Sequence, residues 1–134
     1  MAKESGIGWS LAVDDSAGTP RTITSDVTNL TINTPRAEQD ITGLDKSAHE
    51  RLLLLADMSE ALNGVFNDAS NMSHAVFKTV PSTSVARTVT NGISGQTLAG
   101  ELLFTDYAMT RAADGSFTWS APGVLADGTV PTWA

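Results

Sequence analysis

The chain has 134 residues, 41% of them hydrophobic and 17% charged, which is enough core-forming sequence for one globular domain. Eight basic against fifteen acidic residues leave a net charge of −7, and this argues against a sequence-independent DNA clamp, which needs Lys and Arg in excess to neutralise phosphate. The absence of cysteine excludes disulfides and thiolate metal sites. The opening residues MAKESGIGWS lack the apolar run of a signal peptide, and no stretch approaches the ~20 apolar residues of a membrane span. The expectation is a chain that stays in the cytosol unless something carries it out, with no membrane insertion of its own.

Abundant Thr favours pleated structure, because its stiff β-branched side chain suits a half-buried sheet face. Trp9, Leu11 and Val13 alternate with small residues and predict a short strand with one apolar face. A turn-forming loop at 14–20 follows, and Arg21-Thr22-Ile23-Thr24 predicts the returning arm of a hairpin. Residues 27–34 form another strand with Leu30 and Ile32 on one face; Pro35 ends it, or confines it to an edge. In 36–42, Arg36, Glu38 and Asp40 share one parity, so an extended segment shows a fully charged face; a solvated loop or exposed edge is the plainer reading.

Residues 43–57, GLDKSAHERLLLLAD, are ambiguous. Their composition favours a helix capped by Asp45 or Ser47, yet the unbroken run 52–55 reads equally well as a buried strand at a subunit contact; the strand is taken here. Met58, Glu60, Leu62, Gly64 and Phe66 then alternate as one face of a strand, with Glu60 the odd member. A cluster of turn formers at 67–71 precedes Met72, Val76 and Val80 at helical spacing, which predicts a helix over about 70–80. Ser70 or Asn71 is its candidate N-cap, Asp68 complements its dipole, and Pro81 stops it. VARTVT at 85–90 alternates as a strand, with turn chemistry expected at Asn91-Gly92 and Gly95. The longest strand-like run, 96–111, is apolar on both parities, as expected of a strand covered by its own domain and by a neighbour. Asp114-Gly115 predicts a hairpin turn into Phe117 and Trp119, and Pro122 is expected to end that strand. The last residues, 123–134, read as an irregular arm whose Val124, Leu125, Val130 and Trp133 are apolar enough to dock. No repeat of ~20–50 residues is visible, which excludes a solenoid.

Chemistry is hard to find. His49-Glu50 begins like a zinc-binding HExxH, but Leu53 stands where the second His belongs. His74 has no partner at metal spacing and reads as a surface or packing residue. GQTLAG at 95–100 has the glycine spacing of a phosphate loop, yet Glu101 and Leu102 replace the Lys and Ser/Thr it needs. No nucleophile elbow or calcium loop is present in the sequence. The reading is therefore no enzyme, no catalytic residue, no cofactor and no metal. Trp9 and Trp119 read as core packing ahead of a sugar-binding platform.

LNGVFND followed by SHAVFKTVPSTSVARTV, together with GIGW, VDDSAGTPR, DITGLDKSAHERLLLLAD, SGQTLAGELLFTDYAMTRA and PGVLADGTVPTW, resembles the major tail tube proteins of long-tailed, non-contractile phages of actinobacterial hosts. The resemblance spans most of the chain and implies a mainly β fold: an antiparallel β-sandwich or barrel flanked by one helix, as a single domain over 1–134. It implies hexameric rings joined through a long hairpin and stacked into a tube that conducts genomic DNA, without specific binding, into the host. The implied partners are further copies of the chain, a tape measure protein, and tail tip and tail terminator proteins. The implied location is the virion, reached from the host cytoplasm during assembly. The length leads to the expectation of a chain without the immunoglobulin-like domain that some tail proteins append.

Within that picture the charged face of Arg36, Glu38 and Asp40 is the candidate lumen surface, where acidic groups would let DNA slide. Asp14 and Asp15 in the 14–20 loop, and Trp133 in the C-terminal arm, are candidate ring-to-ring contacts. Two alternatives stand beside it. One is a small β-sandwich binding or decoration module for carbohydrate or a virion surface; the other is the inner tube of a contractile tail or a gene transfer agent.

Overall fold

The computed structural model describes residues 3–134. Its strands, in chain order, are β1 (Ser10–Asp14), β2 (Pro20–Thr22), β3 (Val27–Asn33), β4 (Arg36–Asp40), β5 (Arg51–Ala56), β6 (Ser59–Val65), β7 (Arg87–Ile93), β8 (Gln96–Phe104), β9 (Ala108–Arg111) and β10 (Phe117–Leu125). One helix, α1 (Ser73–Phe77), lies between β6 and β7. Every pairing is antiparallel, as the mainly β expectation required.

One continuous sheet runs β2-β1-β7-β8-β10-β6-β3, with β9 added on β10, while β4 and β5 form a separate two-stranded sheet. The large sheet doubles over at a corner. β8 pairs with β7 along most of its length but with β10 only at Leu102, Leu103 and Phe104. Beyond the corner the two halves face each other: Asn91 on β7 donates to Glu60 on β6, and a Cβ on Gly100 of β8 would sit 3.0 Å from the Met58 sulfur. Between them lies a core of Leu11, Val13, Ile23, Met58, Leu62, Val76, Phe77, Val89, Leu98, Leu102, Phe104, Trp119 and Ala121. The alternation read from β1 and β6 holds: Leu11 and Val13 are buried, as are Met58, Glu60, Leu62 and Gly64.

Several boundaries differ from the sequence reading, each for a local reason. The helix is five residues long, not the stretch 70–80, and its N-cap is Met72 with no side-chain cap of its own. Asn71 is spent on a left-handed turn conformation (φ 64°), and the capping acceptor comes from far away: Asp26 Oδ2 accepts the Ser73 N–H at 3.0 Å. Asn91-Gly92 lies inside β7; the turn is Ser94-Gly95, whose successive positive φ values of 52° and 78° suit a two-residue hairpin loop. The run 96–111 is split by residues 105–107 into β8 and β9. Pro122 does not end β10, which continues to Leu125. Its carbonyl accepts from Thr105 N–H where the neighbouring strand changes from β9 to β8, so the N–H that proline lacks falls in a gap between ladders. The C-terminal arm is irregular only after β10, and it docks: Ala134 and Thr97 exchange backbone hydrogen bonds of 2.9 and 2.8 Å beside a Leu98–Trp133 bridge.

Candidate functional site

The β4–β5 hairpin is the part of the molecule least explained by its own fold. Pro35 interrupts the chain between β3 and β4, and Asp57-Met58 does so between β5 and β6; the Asp57 N–H donates to the Pro35 carbonyl at 2.9 Å across the two kinks. β4 and β5 thus continue the β3–β6 pair outward, off the body of the sandwich. The extended reading of Leu52 to Leu55 is the observed one, with residues 43–50 forming the connection rather than a helix.

Side chains directly opposite in an antiparallel pair share a face. The register Glu38↔Leu53, Gln39↔Leu52 and Asp40↔Arg51 therefore puts Glu38, Asp40, Arg51 and Leu53 on one face, with Gln39 and Leu52 on the other. Beyond Leu53 a register shift leaves Leu54 and Leu55 together opposite Ala37, so simple alternation stops there. All of β4 is exposed, and Leu52, Leu53, Leu54 and Leu55 are 49%, 62%, 42% and 85% exposed. Ile41 and Leu44 continue the apolar surface toward the tip. An isolated two-stranded ribbon is marginally stable in water, and four consecutive exposed leucines on such a ribbon call for a covering surface.

The candidate lumen residues separate. Glu38 and Asp40 lie side by side with Arg51, whose Nε is 3.7 Å from Glu38 Oε1. Asp40 is held below the usual carboxylate range, chiefly by the Thr42 hydroxyl and N–H, with His49 Nδ1 also in contact. Arg36 lies across a register shift and turns back on its own hairpin, donating from Nε and Nη2 to the Leu54 carbonyl at 3.2 and 2.9 Å.

The candidate stacking residues lie elsewhere. The Asp15 carboxylate accepts from Ala17 N–H, Thr19 N–H and Arg21 Nε at 2.9 to 3.0 Å, which pins the β1–β2 turn and lowers its pKa, the Thr19 bond acting most strongly. Asp14 offers its carbonyl to Arg87 Nη1 at 3.0 Å. Trp133 is half-exposed and shares with Trp9 a groove of about 530 Å³ whose walls include Leu11, Val27, Leu30 and Ile32.

Three buried polar residues escaped the sequence reading. Asp26 caps α1 and also accepts from Asn67 Nδ2 at 2.8 Å. Arg87 donates to the Asp14 and Val76 carbonyls and to Thr79 Oγ1, tying α1 to β1; burial lowers its pKa, opposed by the charges of Asp15 and Asp14. Asn91 bridges Trp9 Nε1 and Glu60. The available signal was parity, since Arg87, Val89 and Asn91 alternate as one inward face. His74 is a packing residue, tilted against the Phe66 ring at 4.9 Å and 3.2 Å from the Tyr107 hydroxyl. Among the described residues no group of three or more His, Asp or Glu is placed to hold a metal ion, and no helix is long and apolar enough to cross a membrane.

By sequence, no family model and no curated protein matches the chain. By structure, it is similar to a chain of the tail of an empty GTA particle computed with helical refinement and C6 symmetry, with a TM-score of 0.78 at 18% identity, covering 98% of this chain and 99% of that one. It is also similar to a chain of the virion of a native gene transfer agent (GTA) particle, with a TM-score of 0.76 at 17% identity over 98% and 99% of the two chains. The chain shares the fold of these tail and virion proteins from end to end.

Proposed function

We propose that this protein is a structural subunit that assembles into hexameric rings, which stack into a tail tube through which DNA passes. The observation that carries the reading is the β4–β5 hairpin, apolar on both faces and uncovered within one copy. Neighbouring copies supply the cover: hairpins placed side by side close into a ring, and rings stacked on rings give an open filament. The fold shared with the C6-symmetric tail supports six copies per ring.

Glu38 and Asp40, with Arg36, line the lumen in this reading, and the net charge of −7 disfavours DNA sticking as it slides. Asp14, Asp15 and Trp133 lie at ring-to-ring contacts. A tape measure protein and tail tip and terminator proteins are the partners that set length and ends. Assembly takes place in the host cytoplasm and the product is part of a virion; the chain performs no catalysis. The resemblance of the sequence favours a long non-contractile phage tail, whereas the similarity to gene transfer agent particles favours such an agent's tail, and both use the chain in the same way.

The test is a Leu53→Asp, Leu55→Asp double variant analysed by sedimentation beside the unaltered chain. The unaltered chain is expected to form large assemblies as concentration rises, and the variant to remain a folded monomer. Equal assembly by both would contradict the role of the hairpin.

A further inference from the structure

We propose that Glu60 is a proton-controlled latch: as a neutral acid it lets the Trp9 segment close over the two halves of the sheet, and on losing its proton it loosens that closure. Glu60 is 1% exposed and projects between the two halves of the sheet. Only one donor reaches it, Asn91 Nδ2 at 2.9 Å on Oε1; Oε2 has no hydrogen-bond partner among the described residues. An ionised carboxylate there would keep one charge-bearing oxygen bare in an apolar surround, which is far costlier than burying the neutral acid.

Among the described residues no charge stands close enough to relieve it. β3 and β10, the strands flanking β6, contain no titratable residue, and β6 itself has only Glu60. On β7 the one charge is Arg87, engaged with Asp14, Val76 and Thr79 at the other end of the strand. On β8 it is Glu101, turned to the Thr88 hydroxyl, and on β1 it is Asp14, beyond Val13 at the far end. Burial accordingly pushes the Glu60 acid up to about 7, with the Asn91 bond opposing.

The link to Trp9 is the same asparagine. Asn91 gives its Nδ2 to Glu60 and uses its Oδ1 to accept from Trp9 Nε1 at 3.1 Å. Leu11, the register partner of Asn91, and Ile32, the register partner of Glu60, line the groove with Trp9. Water that hydrates an ionised Glu60 comes by the groove and disturbs the amide that holds the indole.

The sign follows from the raised value. Below about 4.5 the acid is protonated folded or unfolded and full stability is present. From there to about 7 the native state holds a proton that the unfolded chain has lost, so the unfolding constant rises about tenfold per pH unit, then levels off. Glu60→Gln, neutral at every pH and of the same shape, lacks this contribution. The test is urea unfolding of both chains across this range, at concentrations where light scattering shows monomer, with NMR of the Trp9 indole N–H. The ratio of the two unfolding constants is expected to climb about tenfold per unit and level off near 7, the indole resonance moving with the same midpoint only in the unaltered chain. A constant ratio, or an indole resonance indifferent to pH, overturns the latch. Titration of the Glu60 carboxyl carbon keeps the test independent of the variant: a midpoint near 7 supports the proposal and one near 4.5 overturns it.

Discussion

At the scale of single residues, the tightest constraint is Gly64. A Cβ at this position would run into the Asp26 carbonyl oxygen and sit 2.7 Å from the Trp119 ring, and neither neighbour can yield: one is backbone, and the other is a core indole held by its Nε1 donation to the Val65 carbonyl at 2.8 Å. Gly64→Ala is therefore expected to cost about 3 kcal/mol, at the upper end of ordinary overpacking, measured by urea unfolding. Arg87→Met is expected to cost roughly 2–4 kcal/mol, because the Asp14 and Val76 carbonyls lose their shared donor inside the fold. Inward parity was readable for both Gly64 and Arg87. That Arg87 would find three acceptors was not, because those acceptors come from β1, α1 and the turn after it, which only the folded chain brings together.

Among the elements, hairpins were the most legible, since a strand period followed by Asp-Gly is local chemistry: the β9–β10 turn at Asp114-Gly115 forms as read, with Ala112 N–H donating to the Ser116 carbonyl. Local rules failed where distant groups intervene. Asn91-Gly92 has turn composition, yet its pairing with Ser10 and Leu11 on one side and Thr97 and Leu98 on the other keeps it extended. α1 is shorter than its apolar spacing implies because its start is fixed by Asp26 from the segment before β3. Asp26→Ala is accordingly expected to destabilise the protein by about 1–2 kcal/mol, with amide exchange accelerating first in 73–77. The hairpin variant Leu53→Asp, Leu55→Asp should behave in the opposite way: both side chains are exposed, so monomer stability is expected to change by no more than about 0.5 kcal/mol while assembly is lost. A thermal melt and a sedimentation run on the same sample separate the two effects.

At the scale of the whole molecule, one sheet doubled over a shared core leaves two kinds of surface. The sandwich buries a core of its own, and a C-terminal arm fills the free edge of β8 beside Thr97 and Leu98. The β4–β5 hairpin leaves its apolar side chains uncovered, and its unbroken leucines are where helix-favouring composition and the strand reading pull apart. That ambiguity has a physical origin: alternation marks a strand with one wet face, and a strand whose two faces both await a partner has none. The tail-tube account makes that partner a further copy of the chain. Electron microscopy of the purified protein over a concentration series tests this most directly. Six-fold rings with a central hole, alone at low concentration and stacked into tubes at high, are the result the account predicts. A particle that stays monomeric, or stops at a dimer or trimer without a hole across the whole series, would contradict it.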